Sequence, residues 1–231
     1  MSDWVHKVNP INGIPKVWKG ESVVLIAGGP SLTKENVLLA RELQKLDKVK
    51  VIGCNDAYRV FPTLDILYAA DTKWWEVHYN NIVKTSTPKL KMGANANKLD
   101  VFAKGKGIYA IKGESKYSLS YDPHMLHWGG NSGFQIFNIA FLLGATKFFM
   151  LGYDMGRVND KGHWFGEHPT NLRTTNPEAY KRWVRAYSNP KDVQHFKENG
   201  LKVYNCSLVS SIDEFEKVSF RDAVEKEFVE S

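Results

Sequence analysis

The sequence predicts an α/β fold with a mainly parallel, Rossmann-like sheet and helices on both of its faces. Short runs of apolar and β-branched residues recur along the chain, and segments of helical periodicity separate them. Several of these runs are apolar at consecutive positions, which is typical of strands covered on both faces. Strands that alternate with helices imply right-handed crossovers between parallel strands. The predicted strands span residues 23–27, 49–54, 66–70, 88–92, 107–111, 147–151 and 201–205.

Helices are indicated by the spacing of apolar residues and by residues that favour helix ends. Leucine recurs with helical spacing between residues 39 and 46, and Thr33 is placed to cap this helix. Residues 132–143, SGFQIFNIAFLL, are apolar on nearly all sides, which predicts a helix buried against the sheet. Pro190 and Ser219 mark the first turns of two later helices.

The composition predicts one domain, residues 1–231, without a membrane span. Hydrophobic residues make up 43% of the sequence, yet no apolar run approaches the roughly 20 residues of a membrane-spanning helix. The N-terminus lacks the apolar segment of a secretory signal, and Cys54 and Cys206 are interpreted as packing groups in a reducing compartment. We therefore expect a cytoplasmic protein. The formal net charge of +6 favours an anionic partner, either a nucleotide or a nucleic acid.

Two long stretches, residues 112–131 and 155–176, match neither a strand nor a helix. Each contains two histidines, one tryptophan and three glycines. Loops of about 20 residues are uncommon within compact domains and often serve as lids over a site. We expect these two segments to be lid-like and to handle substrate.

The turn after the first predicted strand reads GGPSL and offers Gly28, Gly29, Pro30 and Ser31 to a ligand. Ligands of open α/β sheets bind beyond the carboxyl ends of the strands. Glycines let backbone amides approach a phosphate, and the following helix N-terminus adds positive potential. The motif matches neither GxGxxG nor the P-loop pattern. A phosphate site and an ordinary strand-to-helix turn are both open at this point.

Polar residues also follow the next two strands. Asn55 and Asp56 come directly after the second strand, where they can bind a ribose or base, form a polar turn or, for Asp56, cap a helix. Asp71 follows the third strand and can bind a metal or a hydroxyl, but we favour a helix cap. Four such strand ends on one edge of a sheet would build a shared site.

The remaining strand-end motifs lie around the buried helix. Asn131, Ser132 and Gly133 precede it and form a second candidate anion site, while Asp154 ends the strand that follows it. The next loop contains GHWFGEHP, in which His163 and His168 are candidates for an acid–base residue. A metal site and a structural role are alternatives for these histidines.

Taken together, these stretches resemble a known family. GGPSL, the CN after the second strand and NSGFQIFNIAFLLGATKFFMLGYDM at residues 131–155 resemble segments of bacterial sialyltransferases that use a CMP-activated sugar. HFKENGLKVYNCSLVSSI, at residues 195–212, resembles the helix–strand–Ser segment that ends this core. The skeleton is also similar to archaeal 6-hydroxymethylpterin diphosphokinase-like proteins. Chains with these motifs, including the HWFGEHP loop, also resemble uncharacterised phage-encoded proteins. For a phage-encoded protein, the expected location is the host cytoplasm.

The resemblance implies a nucleotide-sugar donor, no required cofactor and a role for each motif. The first turn would hold the nucleotide phosphate, Asn55 the nucleotide, and residues 131–133 the nucleotide or donor sugar. Asp56, from its place beside Asn55, is a further candidate for nucleotide binding. The base would be His168 or His163, and Asp154 is a further candidate for the catalytic set. A diphosphokinase would instead use ATP with magnesium, for which Asp71 and Asp154 are the candidate ligands.

We therefore expect a glycosyltransferase that moves a sugar from a CMP-type donor to a hydroxyl of unknown identity. The first alternative is a magnesium- and ATP-dependent diphosphokinase of the hydroxymethylpterin type. The second is a non-catalytic nucleotide- or DNA-binding protein, because lysines are frequent between residues 84 and 116. DNA is also considered as the acceptor, and a homo-oligomer is left open.

Overall fold

In the described part of the chain, nine parallel strands form one sheet. The computed structural model describes residues 4–94, 98–166 and 177–229. In chain order the strands are β1 (Ser22–Ile26), β2 (Lys50–Cys54), β3 (Ile66–Tyr68), β4 (Leu90–Ala94), β5 (Ile108–Glu114), β6 (Met125–His127), β7 (Lys147–Leu151), β8 (Lys202–Asn205) and β9 (Glu216–Lys217). Their order across the sheet is β6-β5-β4-β3-β2-β1-β7-β8-β9. All pairings between neighbouring strands are parallel, which confirms the predicted α/β fold.

Helices cover both faces of this sheet. They are α1 (Lys34–Lys45), α2 (Thr72–Thr85), α3 (Leu99–Ala103), α4 (Ser132–Leu142), α5 (Pro177–Tyr187), α6 (Pro190–Glu198) and α7 (Phe220–Phe228). Side chains of α4, α5 and α6 share one buried cluster, and those of α1, α2, α3 and α7 share the other. Strand β1 shows why both faces are apolar, because Val23 and Leu25 enter the first cluster while Val24 and Ile26 enter the second.

The predicted helix starts are confirmed by hydrogen bonds. The Thr33 hydroxyl accepts from the Asn36 amide at the start of α1, and the Ser219 hydroxyl accepts from the Asp222 amide at the start of α7. Pro190 is the first residue of α6, where its missing amide costs nothing. These ends depend on neighbouring residues alone, which is why the sequence identifies them.

Two short strands are absent from the sequence prediction. Strand β6 lies within segment 112–131 and pairs with the end of β5, so that Gly113 is opposite Leu126. This part of the segment therefore belongs to the sheet edge. Strand β9 has two residues, both exposed. Edge strands of two or three residues carry no alternation that a sequence pattern can detect.

The sheet has one switch point, between β1 and β7. Strands β2 to β6 follow on one side of β1, whereas β7 to β9 follow on the other side. At the boundary, Ile26 of β1 is paired with Leu151 of β7, so the segments after these residues leave the sheet side by side. A crevice at such a point is the usual ligand site of an open α/β sheet. Within the described residues, no helix has the length and apolar character needed to cross a membrane.

Candidate functional site

A cavity of about 610 Å³ lies at the switch point. Residues that follow β1, β2, β3 and β7 form its floor, and the start of α4, the loop after β7 and helix α5 form its walls. Most sequence-predicted site residues line it, namely Gly28, Gly29, Asn55, Asp71, Asn131, Ser132, Gly133, Asp154 and His163. The structure thus brings together motifs that are separated by more than a hundred positions in the chain.

The N-terminus of α4 lies in the wall of this cavity. Asn131 is the N-cap, and its side-chain oxygen accepts from the Phe134 amide at 2.8 Å. The amides of Ser132 and Gly133 donate to no acceptor within the described part of the chain. A Cβ on Gly133 would lie 3.0 Å from Asn131 Oδ1 and 3.2 Å from the Tyr153 ring, so glycine keeps this turn tight. Free amides and the helix dipole together favour a phosphate here.

The Gly-Pro-Ser turn is bound to the end of β7. The Gly29 amide donates to the Gly152 carbonyl at 2.9 Å, and the Ser31 amide donates to Asp154 Oδ2 at 2.8 Å. The Ser31 hydroxyl donates to Asp154 Oδ1. The Gly29 amide and the Ser31 hydroxyl are therefore engaged within the protein, which differs from the expectation that they are available to a phosphate. Neither Pro30 nor Ser31 lines the cavity.

The two glycines of this turn are needed for different close approaches. A Cβ on Gly29 would lie 2.5 Å from the Gly152 carbonyl oxygen and 2.6 Å from Asp154 Oδ2. A Cβ on Gly28 would lie 3.1 Å from His163 Nδ1. The loop after β7 crosses Gly28 at this point, where the Trp164 amide donates to the Gly28 carbonyl at 3.1 Å.

Asp154 is buried and holds two segments of the chain together. Burial raises the pKa of its carboxyl group, and the hydrogen bonds from Ser31 and Ser207 oppose this shift. The serine loop after β8 supports the same turn, since the Tyr153 amide donates to Ser207 Oγ at 2.7 Å and Ser210 Oγ donates to the Tyr153 carbonyl at 2.6 Å. The carboxylate thus positions the Gly-Pro-Ser turn.

Asn55 and Asp56 are adjacent in sequence but face different surroundings. Asn55 has a φ of 51°, a left-handed conformation that Asn tolerates, and lines the cavity. Asp56 is buried and accepts from Trp74 Nε1 at 3.3 Å and from Arg59 at 3.2 Å. The prediction that Asp56 binds the nucleotide does not fit this position, because its carboxylate supports the short 3₁₀ helix Asn55–Arg59 and helix α2.

The helix cap that we favoured for Asp71 is not formed by its side chain. Asp71 occupies the N-cap position of α2, but its side chain makes no capping hydrogen bond. The residue is exposed and lines the cavity with Asp154. Both oxygens of Asp154 already accept from Ser31, and no group of three or more His, Cys, Asp or Glu among the described residues is arranged to hold a metal.

One of the two candidate histidines is placed by the structure. His163 lines the cavity, and its ring stacks on Phe165 with centroids 4.9 Å apart and an interplanar angle of 2°. His168 lies outside the described residues, so its prediction is unchanged. The part of segment 155–176 that precedes it, up to Gly166, includes several residues of the cavity wall.

Helix α5 contributes four residues to the cavity that were not predicted from the sequence, the smallest of which is Ala179. Tyr180, Arg182 and Trp183 line the cavity, and Trp183 lies against Gly130, where a Cβ would be 2.7 Å from its ring. Arg182 forms no ion pair with any described residue. The basic cluster of Lys181, Arg182 and Arg185 was the available signal. The sequence alone does not distinguish a basic side chain that lines a site from one that only contacts solvent.

These features define an α/β protein with a cavity at the switch point of a parallel sheet. No protein-family model and no curated protein sequence matches the chain. Solved structures with a similar fold include the sialyltransferase CstII from Campylobacter jejuni in complex with a substrate analogue, CMP-3FNeuAc. The TM-score is 0.53 and the identity 15%, over 86% of each chain. The CstII complex with cytidine-5'-monophosphate gives a TM-score of 0.54 and 14% identity, over 87% of this chain and 86% of that one.

A glycosyltransferase of another kind has a similar fold. The MAf glycosyltransferase from Magnetospirillum magneticum AMB-1 gives a TM-score of 0.59 and 16% identity, over 90% of this chain and 35% of that one. At these identities the likeness establishes the fold alone. The predicted resemblance to sialyltransferases is thereby confirmed for the fold, while the resemblances to pterin diphosphokinases and to phage-encoded proteins stay predictions.

Proposed function

We propose that the protein transfers a sugar from a nucleotide-activated, CMP-type donor to a hydroxyl group of an acceptor. The observation that carries the proposal is the cavity at the β1–β7 switch point. Its wall contains the amides of Ser132 and Gly133, which have no acceptor among the described residues. The fold likeness supports it, because the CstII structures contain CMP and a CMP-sugar analogue and the MAf protein is also a glycosyltransferase.

The donor phosphate would lie at the N-terminus of α4. There the amides of Ser132 and Gly133 donate hydrogen bonds, and the guanidinium of Arg182 supplies a positive charge. Transfer breaks the bond between the anomeric carbon and the phosphate oxygen, so negative charge develops on the leaving nucleotide. Preorganised donors stabilise such charge, and removing one typically costs a factor of about 10² to 10³ in rate in other enzymes. The nucleoside would contact Asn55 at the end of β2.

The acceptor hydroxyl must lose its proton as its oxygen bonds to the anomeric carbon. His163 is the candidate base among the described residues, because it lines the cavity and its ring is held flat against Phe165. His168 remains the second candidate. In this proposal Asp154 is a positioning residue, since its carboxylate is bonded to Ser31 rather than exposed to a substrate.

Helix N-terminal amides and one arginine provide for a phosphate without a further group, so we propose that no cofactor is required. Nucleotide-binding measurements distinguish this proposal from the two alternatives, a diphosphokinase and a non-catalytic nucleotide- or DNA-binding protein. A magnesium-dependent diphosphokinase would need Asp154 as a ligand, and its engagement with Ser31 does not favour that role. The lysine-rich stretch is partly used within the protein, since Lys89 pairs with Asp65 at 2.5 Å and Lys106 lies over Phe102. DNA as acceptor, homo-oligomerisation and the cytoplasmic location stay predictions.

Isothermal calorimetry with CMP, UDP and ATP, each with and without magnesium, tests the proposal. We expect CMP to bind without magnesium and more tightly than UDP or ATP. Arg182→Ala should weaken CMP binding by about tenfold or more, because a charge-assisted hydrogen bond contributes roughly 1.5–3 kcal/mol. Arg185→Ala is the matched control, since Arg185 is also exposed on α5 but does not line the cavity.

Two results would contradict the proposal. One is tight binding of ATP that requires magnesium together with no binding of CMP, which would indicate the diphosphokinase. The other is no binding of any nucleotide together with salt-dependent binding of DNA, which would indicate the non-catalytic alternative.

A further inference from the structure

A second cavity, of about 330 Å³, lies beside the first turns of α1. Its lining includes Leu32, Lys34, Leu38, Arg41, Val60 and Trp164, and we call it the α1 groove. Leu38 is 47% exposed although it is a large apolar residue. The volume is at the lower end of the range for small-molecule sites, roughly 300–1,000 Å³, and suits one ring with its substituents. Nothing in the proposed donor site uses this groove.

The loop after β7 joins the α1 groove to the donor cavity. His163 and Phe165 line the donor cavity, whereas Trp164, between them, lines the groove. The Trp164 amide is fixed by the Gly28 carbonyl at 3.1 Å, and its ring meets Phe165 at 85° with centroids 5.1 Å apart. A ligand that contacts Trp164 in the groove therefore contacts the sequence neighbour of His163, the candidate base.

The charged groups of the groove, Lys34 and Arg41, are both positive. Lys34 and Arg41 form no ion pair with any described residue. Glu35, the acid next to Lys34, is paired with Arg221 at 2.8 Å. An uncompensated pair of cations in a concave site favours an anionic ligand.

Two buried nitrogen atoms of residues that line the groove find no hydrogen-bond acceptor among the described residues. They are Trp164 Nε1 and Arg41 Nε, for which the described part of the chain supplies no partner. Arg41 uses another nitrogen for the Val60 carbonyl, and its guanidinium lies 5.6 Å from the Phe61 ring, so the side chain is held in place. Both atoms are enclosed by the protein, so the charges of Lys34 and Arg41, rather than these atoms, favour an anionic ligand in the groove.

We propose that the α1 groove binds the acceptor of the transfer reaction, and that this acceptor is a ring compound with an apolar face and an anionic group. The apolar face would pack on Trp164 and Leu38, and the anionic group would lie near Lys34 and Arg41. The hydroxyl that receives the sugar would then extend past Trp164 towards His163. This assignment rests on the proposed function, because only a transferase needs a second substrate beside the donor.

Binding of an aryl glycoside that carries a carboxylate tests the assignment. We would titrate the full chain with 4-nitrophenyl β-D-glucuronide and with the neutral 4-nitrophenyl β-D-glucoside, using calorimetry and ligand-observed NMR. The glucuronide should bind saturably and up to about fivefold more tightly than the glucoside, since one solvent-exposed ion pair contributes roughly 0.2–1 kcal/mol. Lys34→Ala should reduce this difference, because one of the two cations of the groove is removed.

A substitution that blocks the α1 groove provides a second test of the assignment. Leu38→Asp places a negative charge in the groove on an exposed helix position, and should weaken glucuronide binding by about tenfold. Val83→Asp is the matched control, because Val83 is 59% exposed on α2 and lines neither cavity. Both variants, and Lys34→Ala, should retain wild-type binding of CMP.

The outcomes separate this assignment from the proposed function. Absence of saturable glucuronide binding by a protein that binds CMP overturns the groove assignment alone. Equal weakening by Leu38→Asp and Val83→Asp, or an unchanged preference in Lys34→Ala, also overturns it. Glucuronide binding with the expected variant pattern, in a protein that binds no CMP, refutes the transferase and leaves the groove as a site for an anionic ring.

Discussion

Replacing Gly29 with alanine tests whether the first turn is held by contact with the end of β7. Gly29 does not have a positive φ, so alanine is compatible with its backbone and the cost is steric. The added Cβ would lie 2.5 Å from the Gly152 carbonyl oxygen, whereas ordinary contact begins at 3.4 Å. The turn after β1 and the turn after β7 would have to separate by about 0.9 Å.

The expected loss of stability follows from what this separation breaks. Overpacking costs about 1–3 kcal/mol, and the hydrogen bonds from Gly29 to Gly152 and from Ser31 to buried Asp154 add about 1–2 kcal/mol. A total of roughly 4 kcal/mol lowers the melting temperature by roughly 8 °C in a domain of this size. Calorimetry or far-UV circular dichroism measures this shift. CMP binding should also weaken, because the floor of the donor cavity moves.

Gly28→Ala is the internal control for this prediction. The same methyl group would lie 3.1 Å from His163 Nδ1, and a side chain can move by a few tenths of an ångström where a paired backbone carbonyl cannot. We expect a shift in melting temperature of less than about 3 °C, because substitutions with small steric conflict cost under about 1.5 kcal/mol. If Gly29→Ala is as stable as Gly28→Ala, the two turns are not held as described.

Three further predictions concern the residues that shape the site and the sheet. Asp154→Ala should lower the free energy of unfolding by about 1–3 kcal/mol, because the Ser31 amide loses its acceptor. Asp154→Asn should lower it less, because the asparagine amide can bond both the amide and the hydroxyl of Ser31. If urea unfolding shows the same loss for both variants, Asp154 is not a positioning residue. Asn131→Ala should cost about 1 kcal/mol through loss of the α4 cap at the Phe134 amide, and Asn131→Ser, which can still cap, should cost less in the same assay. Burial raises the pKa of the Glu227 carboxyl, but Lys147 and Lys202 outweigh this and hold it at about 2, below its usual 4.5. The group therefore contributes about 3 kcal/mol of stability that is complete above pH 4.5 and is lost as the pH falls towards 2, and Glu227→Gln should flatten this part of the pH profile.

Local signals in the sequence identify most elements of the fold. The strand predicted at residues 147–151 is β7 as observed, and Thr33 and Ser219 cap the helices that they were expected to cap. These features depend on residues a few positions apart, so a pattern in one stretch is enough. Strand β6 could not be predicted in this way, since it exists only through its pairing with β5.

The cavity is predicted in part. Strand ends of a parallel sheet share an edge, so Asn55, Ser132 and Asp154 were correctly expected near one another. The roles of individual atoms were not accessible. Ser31 and Asp154 are 123 positions apart, and only the fold shows that their hydrogen bonds engage the turn that was expected to bind phosphate.

The sequence by itself determined the class of fold, the order of its main strands and helices, and the edge of the sheet that carries the polar residues. The tertiary structure decided which amides remain free, that Arg182 joins the cavity while Asp56 turns away from it, and that Trp164 borders a second groove. Periodicity and helix capping depend on residues within one short segment, so the sequence of that segment is enough to predict them. A hydrogen-bond partner or a cavity wall arises only when distant segments meet.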